Sequence, residues 1–212
     1  MITLQGAFRL LQAALPERIR AVDVGAYRGD FAAAALTAFP GSSALLFEPG
    51  PSKAAALRER YRGDPAVRVF EVALGDERGD ALLHEQEDSA TDSLLASAGA
   101  AEETTRTVRM SRLDAVLDEE GARSVDLIKI DTQGYEAQVL GGAGAWIDQV
   151  LGVQVELPCL HLYDGVWSMP EAIATMESLG FSLFQMQPVN TAKTDPIAPI
   201  ELDCVFGRII SG

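Results

Sequence analysis

The chain has 212 residues, of which 48% are hydrophobic and 23% charged, a composition typical of one folded domain and not of a disordered protein. Its formal net charge of −14 argues against a nucleic-acid partner, because affinity for a phosphate backbone requires an excess of positive charge. The two cysteines, Cys159 and Cys204, are too few for a disulfide framework or a four-thiolate zinc site, so we expect both to be reduced core thiols.

The start of the chain carries no pattern of export or membrane insertion. Apolar residues recur at spacings of three and four and predict an opening helix over about residues 3–15. No stretch approaches the roughly 20 apolar residues of a membrane span. We therefore expect a cytoplasmic protein with no membrane partner.

Short apolar strands and helices then alternate along the chain. The strands are expected at 21–24, 44–47, 67–74, 125–131, 150–157, 181–186 and 202–210. The helices are expected at 31–39, 52–61, 113–117, 135–140 and 168–179. The segment 191–199 has no helical pattern, so the last two strands are expected to pair antiparallel.

Residues 80–112 interrupt this alternation. They combine an acidic, Ser/Thr-rich stretch at 85–93 with a strand-like segment at 104–112. We interpret them as a hairpin and loop inserted in a single domain spanning residues 1–212. The alternation elsewhere predicts an α/β fold with a mostly parallel sheet covered on both faces. In such sheets a ligand binds at the carboxyl ends of the strands.

Two features at these strand ends predict a nucleoside-containing cofactor. The loop after the first strand holds Gly25 and Gly29, which allow the backbone to approach a ligand closely. Glu48 ends the second strand, where a carboxylate can accept hydrogen bonds from both ribose hydroxyls. The structural alternative is a tight turn beside a solvated glutamate.

The same loop favours S-adenosylmethionine over a dinucleotide. Tyr27 stands where the dinucleotide fingerprint has the glycine that makes room for pyrophosphate. Asp23 places a negative charge beside the loop, which would repel a pyrophosphate and attract an ammonium or sulfonium group.

Several segments together resemble the FkbM-type methyltransferases, namely VDVGAYRGDFA (22–32), LLFEPGPSKAAAL (45–57), VALGDERGDA (72–81), VDLIKIDTQGYEAQVLGGA (125–143), VQVELPCLHLYDG (153–165) and LDCVF (202–206). The resemblance runs from about residue 19 to the C-terminus, and KIDTQGYE is its most specific part. It implies the class I, Rossmann-like methyltransferase fold, a three-layer sandwich with a seven-stranded, mostly parallel sheet and an antiparallel last strand. It also implies an enzyme that uses S-adenosylmethionine, usually to methylate a hydroxyl of a sugar or natural product. The chain departs from the family at Tyr27, where Asn is common, and His161 is not typical either.

The resemblance implies roles for residues of this chain. Asp23, Gly25 and Gly29 would hold the methionine portion of the cofactor, and Glu48 the ribose. Asp76 would accept from the adenine edge, or would only cap a turn. The full set of implied cofactor-binding residues is Asp23, Gly25, Ala26, Tyr27, Gly29, Glu48, Ala73, Leu74 and Asp76.

The candidate catalytic residues follow the fourth and fifth strands. Lys129 and Asp131 share one face of a strand, and Glu156 ends the next. Asp131, Glu156 or His161 could take the proton of an acceptor hydroxyl. In the structural alternative, Lys129 and a carboxylate only neutralise each other. Asp131 and Glu156 could also hold a magnesium ion, but the sequence shows no third ligand, and we predict no metal site.

We therefore expect an S-adenosylmethionine-dependent O-methyltransferase whose acceptor is a small-molecule hydroxyl. The alternatives are a nitrogen or carboxylate acceptor on the same scaffold, or a non-catalytic subunit that binds S-adenosylmethionine. The oligomeric state is left open, a homo-oligomer included.

Overall fold

The architecture was determined from a computed structural model that describes residues 11–12, 14–85, 92–95, 104–159, 166–192 and 195–208. The strands are β1 Arg20–Val24, β2 Ser43–Phe47, β3 Val67–Phe70, β4 Ala73–Leu74, β5 Gly79–Glu85, β6 Thr104–Ser111, β7 Leu127–Ile130, β8 Gly152–Pro158, β9 Ser182–Ala192 and β10 Asp195–Gly207. The helices are α1 Asp30–Ala38, α2 Pro51–Arg60, α3 Leu113–Glu119, α4 Glu136–Gly141 and α5 Met169–Ser178, with a 3-10 helix at Gly144–Gln149.

Seven of these strands form one sheet in the order β3-β2-β1-β7-β8-β10-β9. The first five strands of that order pair in parallel, while β10 is antiparallel to both of its neighbours. Helices cover both faces of this sheet. Alternate residues of a buried strand therefore pack into two different apolar clusters, one on each face. Val22 of β1 packs in the cluster that contains α3, α4 and α5, whereas Ala21 packs with Phe31 of α1. The predicted fold class is confirmed.

The third strand was predicted wrongly as a single element over 67–74. The chain leaves the large sheet after Phe70, which pairs with Phe47, the last residue of β2. Beyond that point β2 offers no further partner, and β4 instead pairs with β6 in a second sheet of order β4-β6-β5. Within it, β5 and β6 form the antiparallel arms of the insert.

The last two strands are longer than predicted and include most of the 191–199 segment. The prolines in this segment are accommodated at register shifts, for example between Asp195 and Pro199, where a missing N–H does not break a regular ladder. The antiparallel pairing itself is confirmed.

The expectations for the two cysteines and for the opening helix have different outcomes. Cys204 is buried as expected, but Cys159 is exposed, because it follows the end of β8 at the rim of the sheet. Most of the opening helix expected over 3–15 lies outside the described residues, although Leu11 is buried. Within the described part of the chain, no helix is long and apolar enough to cross a membrane. The cytoplasmic location stays a prediction.

Candidate functional site

A cleft that is open to solvent lies at the carboxyl ends of β1, β2 and β7. Its walls combine apolar side chains with a few polar ones, namely Val24, Gly25, Tyr27, Phe47, Glu48, Pro49, Lys53, Val72, Ala73, Leu74, Leu83, Asp92, Leu94, Asp131 and Thr132. The cleft therefore lies where the strand order of an α/β sheet predicts a ligand.

The glycine loop after β1 forms one wall of the cleft. Gly25 has φ +69°, and a Cβ atom there would lie 1.8 Å from the carbonyl oxygen of Asp131. Gly29 caps α1 at φ +77°, where a Cβ would meet Leu57 at 2.9 Å. The backbone N–H groups of Gly25 and Ala26 both donate to the Phe47 carbonyl, so the loop is tied across the ends of β1 and β2. Ala26 and Gly29 shape this loop but do not line the cleft.

Glu48 is 4% exposed and lines the cleft beside the loop. Its Oε1 accepts from the Gly50 N–H at 3.0 Å, and its Oε2 accepts from the Tyr27 N–H at 2.9 Å. Burial raises the pKa of Glu48, while these two backbone amides lower it. Each oxygen keeps a second lone pair, so the carboxyl group can still accept hydrogen bonds from a vicinal diol.

Tyr27 adopts the left-handed conformation, with φ 47°. A bulky side chain is uncommon there, whereas Asn tolerates it. The ring lines the cleft, and the Lys53 ammonium lies 5.3 Å from its centroid. The tyrosine is therefore strained and forms part of the cleft wall.

Asp23 and Lys129 lie beneath the loop rather than in the cleft lining. Asp23 is fully buried, and Lys129 Nζ lies 3.6 Å from its Oδ1 and 3.2 Å from Asp131 Oδ2. The same ammonium donates to the Gly25 carbonyl at 2.8 Å. Burial raises the pKa of Asp23 to about 6, although Lys129 opposes this shift. Burial alone would lower the pKa of Lys129, but Asp131 and Asp23 outweigh it and raise that pKa. Lys129 thus supports the loop, in line with its structural alternative, and the cofactor-binding role of Asp23 stays a prediction.

Asp131 and Glu156 are brought together by Gln133, which sequence reasoning did not select. Gln133 Nε2 donates to Asp131 Oδ1 at 3.0 Å and to Glu156 Oε2 at 2.5 Å. Burial, followed by the charges of Asp131 and Glu201, raises the pKa of Glu156 well above its usual range. Glu156 therefore holds its proton at neutral pH, and of the two only Asp131 lines the cleft.

Glu136 organises the loop after β7. Its Oε1 accepts from the Thr132 N–H, the Thr132 hydroxyl and the Gly134 N–H, each at 3.0 Å. Gln133, between them, has φ 56°. The sequence does carry a signal for this role of Glu136, namely an acidic residue in the first turn of a helix that directly follows a Gln-Gly turn.

The remaining predicted residues divide into three groups. Ala73 and Leu74 line the cleft. Asp76 is exposed and outside the lining, and its backbone carbonyl accepts from Arg112, so its assignment to the adenine edge gains no support and stays a prediction. His161 lies outside the described residues. Among the side chains that the structure describes, no three His, Cys, Asp or Glu residues are arranged to hold a metal ion.

Comparisons with known proteins agree with this geometry. Residues 23–183 match the model of the methyltransferase FkbM domain. The chain is 27% identical to 2-O-methyltransferase NoeI of Sinorhizobium fredii (strain NBRC 101917 / NGR234), covering 68% of this chain and 65% of that protein. It thus spans less than two thirds of that relative. It is 26% identical to 31-O-demethyl-FK506 methyltransferase FkbM of Streptomyces tacrolimicus, covering 90% of this chain and 80% of that protein. The structure of M. capricolum TrmK in complex with S-adenosyl-homocysteine has the same fold, with a TM-score of 0.53 at 8% identity over 95% of this chain and 68% of that one.

Proposed function

Because this chain belongs to the FkbM methyltransferase family, as residues 23–183 show, we propose that it transfers a methyl group from S-adenosylmethionine to a hydroxyl of a small molecule. One observation carries the proposal. Glu48, held by the Tyr27 and Gly50 amides, lines the cleft beside the Gly25 loop. This arrangement supports ribose binding at Glu48. The expected family is confirmed.

The described residues fit S-adenosylmethionine. Glu48 would accept from the ribose hydroxyls, and the apolar walls at Phe47, Val72 and Leu74 would contact the adenine. The Gly25 loop would receive the methionine portion. When bound, this cofactor supplies the methyl group as an electrophile on its sulfonium sulfur. Tyr27 also lines the cleft, at the position where a dinucleotide-binding loop has the glycine that makes room for pyrophosphate.

Asp131 is the candidate base because, among the described residues of the catalytic set, it is the one whose side chain lines the cleft. It would take up the proton of the acceptor hydroxyl as that oxygen bonds to the methyl carbon and the bond from this carbon to the cofactor sulfur breaks, leaving S-adenosylhomocysteine. Gln133 and Lys129 hold the Asp131 carboxylate in place. A hydroxyl acceptor is supported by the names of the relatives, a 2-O-methyltransferase and a methyltransferase of 31-O-demethyl-FK506. A nucleic-acid acceptor is disfavoured by the net charge of −14.

Binding and turnover test this proposal separately. S-adenosylhomocysteine should raise the melting temperature, whereas NAD and NADP should not. Wild-type protein should then transfer label from methyl-labelled S-adenosylmethionine to hydroxyl acceptors of a panel that also contains amines and carboxylic acids. Stabilisation by a nicotinamide dinucleotide alone would overturn the cofactor assignment. Transfer to amines or carboxylic acids would identify the alternative acceptor, and binding without transfer to any panel member would favour the non-catalytic subunit.

A further inference from the structure

A short part of the insert, residues 92–95, forms a wall of the cofactor cleft. Asp92 and Leu94 line the cleft from this segment. Ser93 between them is 2% exposed, and its hydroxyl donates to the Gln133 carbonyl at 2.7 Å and accepts from the Leu95 N–H at 2.9 Å. The segment is therefore held against the loop after β7.

Asp92 meets Lys53 of α2 inside the cleft. Their charged atoms lie 2.6 Å apart, with side chains only 9% and 18% exposed. Asp92 also lies close to the ribose end of the site. A Cβ on Gly50 would lie 3.1 Å from Glu48 Oε1 and 3.7 Å from Asp92 Oδ2, so two carboxyl groups converge on the same point.

A second ion pair of α2 shows what is unusual about this one. Arg58 and Glu71 lie 2.8 Å apart, but their side chains are 47% and 39% exposed and neither lines the cleft. Exposed pairs of that kind contribute little to stability. Lys53 and Asp92 are much more buried, so both charges lose more of their hydration. A pair that only stabilised the fold would not have to bear this desolvation cost.

Resting on the proposed function, we propose that Asp92 is a further cofactor-binding residue. Its carboxylate accepts a hydrogen bond from the adenosine part of the cofactor, beside Glu48. Lys53 is a positioning residue that holds the Asp92 carboxylate in the cleft wall. The insert thus contributes directly to the cofactor site.

Calorimetry with two ligands tests this assignment. S-adenosylhomocysteine and 5′-methylthioadenosine share the adenosine part, but only the first has the amino-acid portion. Asp92→Asn should weaken both ligands by the same factor of about 10, the size expected for a hydrogen bond to a charged group. Lys53→Met should also weaken the binding of both ligands, whereas Lys53→Arg should keep most of the affinity. The double variant Lys53→Met with Asp92→Asn should bind no more weakly than Asp92→Asn alone. Arg58→Met, the matched change on the same helix, should bind both ligands like wild type.

Three results would overturn the assignment. They are unchanged affinity in Asp92→Asn, a loss confined to S-adenosylhomocysteine, and losses in Asp92→Asn and Lys53→Met that simply add. Glu48→Gln separates this inference from the proposed function. If Glu48→Gln loses affinity and Asp92→Asn does not, only the role of Asp92 fails. If wild type binds neither ligand, the proposed function fails.

Discussion

Gly25 and Asp131 are in direct backbone contact, since a Cβ on Gly25 would lie 1.8 Å from the Asp131 carbonyl oxygen. The contact joins the loop after β1 to the segment after β7. Lys129 adds a second tie, because its ammonium donates to the Gly25 carbonyl and pairs with the Asp131 carboxylate. The wall that receives the cofactor and the candidate base are therefore held as one unit.

Gly25→Ala tests this contact. The new Cβ atom would sit on a left-handed residue and collide with the Asp131 carbonyl oxygen. The substitution should therefore lower the free energy of unfolding by about 2–4 kcal/mol. It should also abolish binding of S-adenosylhomocysteine. Gly63→Ala is the matched control, because Gly63 has φ +80° but nothing within 4 Å of its Cβ position. It should cost only about 1 kcal/mol, the strain of the conformation alone. Denaturant unfolding measures both, and equal costs would contradict the contact.

Asp131→Asn and Glu156→Gln should separate the two carboxyl groups. Asp131→Asn removes the charge at the cleft and should lower turnover by about 10²-fold, with little change in affinity for S-adenosylhomocysteine. Glu156→Gln should retain most of the activity, because Glu156 already holds its proton and Gln is close to it in shape. Initial rates decide between them. The reverse pattern would make Glu156 the base, and full activity in both would direct attention to His161→Ala.

Asp23→Asn should change the dependence of stability on pH. The pKa of Asp23 is raised from 3.8 to about 6 by burial, so its contribution to stability is present below about pH 4 and is lost as the pH rises through 6. Relative to wild type, the variant should therefore gain about 2.5 kcal/mol of unfolding free energy between pH 4 and pH 8. Denaturant unfolding of both proteins at both pH values measures this difference. The contributions of the other acidic residues are the same in both proteins and cancel. A difference that does not change with pH would contradict the assigned pKa.

Tyr27→Asn should relieve backbone strain. Asn adopts the left-handed conformation more readily than Tyr, so the variant should be more stable by about 1 kcal/mol. Tyr27→Phe keeps the strain and should show no such gain. Thermal or denaturant unfolding compares the two, and a less stable Asn variant would show that contacts of the ring with Lys53 and Arg28 outweigh the strain.

Much of the cofactor half of the site could be predicted because it depends on short stretches of chain. A strand that ends in a glycine loop places Gly25 and Tyr27, and Glu48 directly follows the next strand, so all three reach the cleft as expected. The third strand was predicted wrongly because its apolar pattern continues to Leu74, while its register with β2 ends where Phe70 lies opposite Phe47. Periodicity along a chain carries no information about the length of a neighbouring strand.

The sequence by itself determined the alternation of strands and helices, the family and the residues that end each strand, since these follow from local spacing and short motifs. Only the tertiary structure decided which polar groups meet. It placed Gln133 between Asp131 and Glu156, put Lys129 beneath the Gly25 loop and brought Asp92 to Lys53. Contacts between distant segments depend on strand register and on how loops dock, and burial then changes the charge that each group carries. For that reason Asp131 and Glu156, equivalent as carboxyl groups in the sequence, differ in the folded protein, where one faces the cleft and the other holds its proton.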